Sequence, residues 1–115
     1  MNWSNSIFII SGGAGASFML GYLFTKIWPA KEINDFYGYR TKRSKGSQEA
    51  WDFAQKYSTQ MMGYIALLNL ALGMSGLFIE IAETLSLIIS MGFMIITVIW
   101  LFWKTEGKLK ERFGE

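Results

Sequence analysis

Hydrophobic residues are grouped along this chain into three long runs that carry no charged side chain. The runs are residues 1–25, 57–79 and 84–103, and every Lys, Arg, Asp and Glu lies outside them. About 20 apolar residues of helix cross a bilayer core about 30 Å thick. Soluble domains instead spread their charges over amphipathic elements. The pattern therefore predicts an all-α integral membrane protein with three transmembrane helices.

The positions of the basic residues predict how these helices are oriented. All eleven Lys and Arg residues lie in residues 26–56 or 104–115, and none precedes the first span or lies between the second and third. The positive-inside rule then places the N-terminus outside and the C-terminus in the cytoplasm. The single predicted domain, 1–115, divides into three spans, a cytoplasmic loop and a cytoplasmic tail, at about residues 7–28, 57–79, 84–103, 29–56 and 104–115.

The turn between the second and third spans has two candidate positions. Glycine and serine at residues 73–76 favour a turn there. The carboxylates of Glu80 and Glu83 favour the later position, because they must reach water. We favour a bend after Gly76, with both carboxylates near the outer surface.

Small and polar side chains within the spans indicate how the helices pack. Gly13, Ser17 and Gly21 are four residues apart and form a small-residue stripe on the first span. Such stripes let helices approach closely, either within one chain or in a homodimer, and we favour the first. Asn69 is the strongly polar side chain deepest in a span, so it is a functional candidate. An interhelical hydrogen bond is its simpler explanation.

The composition excludes several kinds of chemistry. The chain has no Cys and no His, so thiol catalysis and the commonest general base and metal ligand are absent. We therefore expect no catalytic residue, no metal site and no cofactor. No acidic residue lies within a span, which argues against proton-coupled transport by this chain alone. The basic loop is short and tied to the membrane, so we expect lipid headgroups rather than nucleic acid beside it.

The cytoplasmic loop holds the most informative stretch of the sequence. Ser47 can cap a helix whose first turn carries Glu49, where negative charge is favourable. No helix breaker follows for many residues, so we expect one helix from Ser47 to Gly73 that projects into the cytoplasm. Gly38 permits a tight bend beside Arg40. We predict that Arg40 and Glu49 form an ion pair that holds the loop against this helix.

The loop resembles the signature of the SdpI family of bacterial membrane proteins, named for the immunity protein against the sporulation-delaying toxin. That signature has a glycine, Arg-Thr, a Ser/Thr-rich turn and an acidic residue two positions before a Trp, leading into a span. Gln55 departs from it, since many members have Asn or His there. The residues that carry the resemblance, and that we take as the functional loop, are Tyr37, Gly38, Arg40, Thr41, Ser44, Glu49 and Trp51.

The resemblance implies a non-enzymatic, multi-pass protein of the bacterial cytoplasmic membrane that gives immunity to a membrane-active peptide toxin. It further implies that such a toxin is met at the outer face, and that a cytosolic regulator is held at the membrane as a signal. Two alternatives remain open. One is a scaffold or signalling module that binds a cytosolic partner through residues 31–56. The other is a pore or transporter subunit that oligomerises through the first span.

Overall fold

The computed structural model describes residues 3–114, and the regular secondary structure in that range is entirely helical, with no strand. This confirms the all-α prediction. Met1, Asn2 and Glu115, at the ends of the predicted N-terminal stretch and tail, lie outside the described residues. The helical segments, in chain order, are a π-helical turn at Ile7–Ser11, α1 at Gly12–Ile27, a 3-10 turn at Ser44–Gly46, α2 at Gln48–Ser75 and α3 at Glu83–Phe113.

Two of the helical stretches are long and apolar enough to cross a membrane, namely Ile7–Ile27 and Glu83–Phe113. The first stretch ends at Ile27, two residues before Pro29, as the sequence predicts. Proline disfavours helical backbone at the residue before it, and Trp28 has left the helical region. The presence of these two helices supports the prediction of a membrane protein.

α2 is the single long helix that the sequence predicts across the loop and the second span. It starts after Ser47, whose side chain accepts a hydrogen bond from the Ala50 N–H at 3.0 Å. At 1.5 Å per residue its 28 residues extend about 42 Å. The helix ends at Ser75 rather than at residue 79, so the bend lies where the sequence places it, at Gly76.

α3 is longer than the sequence predicts. It begins at Glu83 and continues ten residues beyond the predicted end of the span at Trp103, so the expected tail is helical to Phe113. The extension is stabilised by packing, because Leu101, Thr105 and Leu109 form a buried stripe at four-residue spacing. Such a stripe marks the inward face of a helix, and here it crosses the predicted membrane boundary without interruption.

Glycines bring the backbones of α1 and α2 into direct contact. A Cβ added to Gly73 would lie 2.5 Å from the backbone nitrogen of Gly12, and one added to Gly15 would lie 2.6 Å from that of Leu70. Since lipid tails compete equally for apolar side chains, such close approach is the main way that helices associate in a bilayer. The α1–α2 contact therefore depends on residues without side chains.

The small-residue stripe predicted on α1 is not the face that makes this contact. Ser17 is exposed, and a Cβ on Gly13 would meet no atom within 4 Å. Gly21 of α1 does pack against α2, where an added Cβ would lie 2.9 Å from the sulfur of Met62. The prediction was wrong for Gly13 and Ser17 because the face of α1 that meets α2 runs through Gly15 and Gly21 instead.

We expect Gly73→Leu to destabilise the protein by about 1–3 kcal/mol, the usual cost of forcing a side chain into a packed contact. The free energy of unfolding in detergent measures this change. Gly13→Leu is the matched control, because that position faces open space. Equal losses for the two variants would contradict the assignment of the α1–α2 contact.

Candidate functional site

The start of the loop between α1 and α2 is held by a hydrogen bond from a side chain of α2 to the loop backbone. Trp51 is fully buried, and its indole N–H donates to the carbonyl oxygen of Ala30 at 2.7 Å. Tyr37 anchors the loop to the end of α1, because its hydroxyl donates to the Trp28 carbonyl at 2.5 Å. Two of the predicted loop residues, Trp51 and Tyr37, therefore hold the chain where it leaves α1.

A positive φ at Gly38 lets the loop return to α2. Its φ is +99°, and a Cβ there would lie 2.5 Å from Oε1 of Gln55 and 2.8 Å from the Ala30 side chain. Side chains disfavour that conformation, so both backbone geometry and space require glycine. The Gln55 side chain makes two hydrogen bonds to the backbone of Tyr39, the residue after Gly38. Its Oε1 accepts from the Tyr39 N–H at 2.7 Å, and its Nε2 donates to the Tyr39 carbonyl at 2.8 Å.

The hydroxyls of Thr41 and Ser44 close the following turn. The Ser44 hydroxyl is buried and accepts from the Thr41 N–H at 2.8 Å. In return, the Thr41 hydroxyl accepts from the Ser44 N–H at 3.2 Å. Reciprocal side-chain to backbone bonds of this kind fix tight turns. The 3-10 turn at Ser44–Gly46 is the result, and it leads to the Ser47 cap of α2.

Glu106 of α3 is the point at which the loop meets the third helix. Its Oε2 accepts from the Tyr39 hydroxyl and from the Thr41 hydroxyl, both at 2.7 Å. Its Oε1 pairs with Arg43 at 3.3 Å. Hydrogen bonds to a carboxylate are charge-assisted and are therefore stronger than those between neutral groups. We call Tyr39, Thr41, Gln55 and Glu106 the loop clamp.

The electrostatics of the loop clamp keep Tyr39 as a donor. Burial, and after it the adjacent Glu106 carboxylate, raise the pKa of the Tyr39 phenol well above its usual value. The phenol therefore stays protonated at neutral pH and donates to the carboxylate. At the exposed edge of the loop, Lys45 donates to Asp35 and lowers the pKa of that carboxyl group.

The predicted ion pair between Arg40 and Glu49 is absent. The ion pairs within 4.0 Å among residues 3–114 are Arg43–Glu106, Lys45–Asp35 and Lys108–Glu111. Arg40 and Glu49 are both exposed. The prediction failed because Tyr39 and Thr41 both bond to Glu106. In extended chain, alternate side chains point to opposite sides, so Arg40 between them is directed away.

Glu106 was missed by the sequence analysis because it lies in the tail, 51 residues after Gln55 in the chain. One signal was available. Thr105 and Leu109 continue the inward face of α3 past the span, and Glu106 lies next to Thr105 at the edge of that face. The clamp role of Tyr39 was also missed, although Tyr39 is flanked by motif residues.

Asn69 lies at the centre of the bundle and is fully buried. Its Nδ2 donates to the Thr97 hydroxyl of α3 at 3.1 Å and to the Ile65 carbonyl at 2.8 Å. The interhelical hydrogen bond expected of Asn69 is therefore formed.

Metal-binding geometry is not found in the described part of the chain, where no three acidic side chains are grouped.

Comparison with known proteins links this loop to a family. The signature of the SdpI/YfhL protein family matches residues 31–104, which contain most of the loop, all of α2 and most of α3 up to Lys104. YfhL of Bacillus subtilis (strain 168) is 38% identical in an alignment of 101 residues that covers 85% of this chain and 83% of that protein. No solved structure matches the chain.

We expect Glu106→Ala to release the loop from α3. It removes the acceptor of the Tyr39 and Thr41 hydroxyls, and unsatisfied polar groups of this kind cost about 1–3 kcal/mol each. Hydrogen exchange at the Tyr39 and Thr41 amides should become faster, and the free energy of unfolding should fall. Glu111→Ala is the control, since Glu111 is exposed and reaches only Lys108, at 3.9 Å. Unchanged loop exchange in Glu106→Ala would contradict the clamp.

Proposed function

The chain belongs to the SdpI/YfhL protein family, and we propose that it is an immunity-type protein of the bacterial cytoplasmic membrane that protects the cell from a membrane-active peptide toxin. Family membership supports an SdpI-like immunity-type membrane protein. The motif residues support it further, because Gly38, Thr41, Ser44 and Trp51 build the fold of the loop within the matched segment. No catalytic step is part of the proposal.

We propose three spans, with the N-terminus outside and the C-terminus in the cytoplasm. Contacts along the whole of the first helix support the second span. Gly76 lies against Phe8 at one end, and the Thr59 hydroxyl donates to that of Thr25, at 3.2 Å, at the other. A helix that packs along the whole length of Ile7–Ile27 lies at the same depth in the bilayer as that helix. The basic residues at one end of the bundle then favour the cytoplasm for that end.

The observation that carries the proposal of toxin contact is the composition of the opposite end. There the turn after α2 exposes Phe78 and Ile79 beside Glu80, and Glu83 accepts a hydrogen bond from Ser6. An apolar and acidic surface at the outer boundary is complementary to a cationic, amphipathic peptide, which carries basic residues on one face and apolar residues on the other. No basic residue lies in this turn to oppose such a ligand.

The decisive experiment is a strain lacking the gene, challenged with a panel of membrane-active peptides that includes any made by the host. We expect the deletion to increase sensitivity and the wild-type gene to restore resistance. Glu80→Lys should restore less resistance than wild type, because it reverses the charge of the outer turn. Glu111→Lys, the same charge change at an exposed position of α3, should restore it fully at equal expression. Unchanged sensitivity of the deletion strain across the panel would refute the proposal.

A second function, a scaffold that binds a cytosolic partner, is favoured by the exposed surface of the loop. Phe36 is 90% exposed, and Arg40 is exposed and forms none of the ion pairs found among residues 3–114. A large apolar ring and an exposed guanidinium are common anchors of protein interfaces. Trp51 is unsuitable for this role, because it is buried beneath the loop.

Under this second function, Phe36→Ala and Arg40→Ala should each release a soluble protein from the membrane without changing the free energy of unfolding. Quantitative comparison of proteins retained on membranes from wild-type and variant strains measures this. Lys42→Ala is the control, since Lys42 is an exposed basic residue of the same loop. Identical sets of retained proteins in all four strains would exclude the scaffold.

A further inference from the structure

A cleft of about 630 Å³ lies between the end of α1 and the first half of α2, on the proposed cytoplasmic side. Three lysines line it, Lys26, Lys31 and Lys56, against one carboxylate, that of Asp52. The cleft lies at the C-terminal end of α1, which is followed by Trp28. Tryptophan side chains prefer the membrane interface. The net positive charge of the cleft therefore faces the headgroup region.

Two of these lysines are available to a ligand. Lys31 and Lys56 take part in none of the ion pairs found among residues 3–114. Lys26 donates to the Tyr22 hydroxyl at 3.0 Å, which holds its ammonium group at the wall of the cleft. Asp52 accepts a hydrogen bond from the Gln48 side-chain amide at 2.8 Å and forms an ion pair with neither Lys31 nor Lys56.

An apolar groove continues from this cleft towards the middle of the bilayer. It has a volume of about 230 Å³ and shares Tyr22 and Gln60 with the cleft. Below them it is lined by Met19, Tyr64 and Leu67. A cationic cleft above an apolar groove has the shape and polarity of an amphiphile with an anionic head.

We propose that the cleft and groove together bind one anionic phospholipid, with its phosphate among Lys26, Lys31 and Lys56 and an acyl chain in the groove. Lysine ammonium groups bind phosphate as point charges, and basic residues at the cytoplasmic surface attract anionic headgroups. Gln60, where cleft and groove meet, supplies a further donor to the headgroup. The inference rests on the proposed membrane placement and is independent of toxin protection.

Binding of phosphatidylglycerol to the purified full-length protein in neutral detergent tests the proposal, with phosphatidylcholine of the same chain length as the comparison. Native mass spectrometry gives the apparent Kd. We expect tighter binding of phosphatidylglycerol, and about 25-fold weaker binding of it to the double variant Lys31→Ala/Lys56→Ala. That factor is about five-fold per lysine, which corresponds to ~1 kcal/mol for each basic residue at a membrane surface. Asp52→Asn should tighten binding, because it removes the opposing charge.

Lys42→Ala/Lys110→Ala is the matched control, because it removes the same charge from exposed positions outside the cleft. An equal loss in this control would show diffuse attraction and overturn the site. Inorganic phosphate and glycerol phosphate form the second arm. If either binds as tightly as the lipid, the ligand is a free phosphate and the groove has no role, which overturns the proposal. Equal melting temperatures of the two double variants exclude misfolding as the cause of a difference.

Discussion

The structure of the loop between α1 and α2 depends on hydrogen bonds and an ion pair to the carboxylate of Glu106. That carboxylate accepts from Tyr39 and Thr41 and pairs with Arg43, so three residues of the loop converge on one side chain of α3. A carboxylate at a partly buried position is costly unless it is hydrogen-bonded, and here the donors come from the loop alone. The loop therefore needs α3 to continue beyond the charge-free run that ends at Trp103, and its bonds to Glu106 in turn stabilise the helix there.

The membrane half depends on a different constraint, the absence of side chains where α1 and α2 meet. Gly73 lies on the backbone of Gly12, and Gly15 lies on that of Leu70. The buried amide of Asn69 then joins α2 to α3 through the hydroxyl of Thr97. α2 is thus the central helix, held to one neighbour by close packing and to the other by a hydrogen bond. This arrangement suits a bilayer, where apolar contact alone gives little preference for a helix over lipid.

Features fixed by neighbouring residues could be predicted from the sequence, and those fixed by distant residues could not. The Ser47 cap, the uninterrupted α2 and the end of α1 before Pro29 follow from local preferences. The partner of the loop was predicted wrongly, because Glu49 is close in sequence whereas Glu106 is brought near only by packing of α3. Gly38 was expected to bend the chain, but its contact with Gln55 requires the folded loop.

The loop clamp and the lysine cleft meet at Gln55, which belongs to the clamp and also lines the cleft. Both polar ends of its amide are bonded to the backbone of Tyr39, so Gln55 offers the cleft little hydrogen-bonding capacity. Recognition in the cleft must therefore come from the lysines and Gln60 rather than from Gln55. Lys31 and Lys56 contribute nothing to the clamp, and Glu106 does not line the cleft. Contact with the membrane and closure of the loop are consequently carried by separate side chains, which allows each to change without loss of the other.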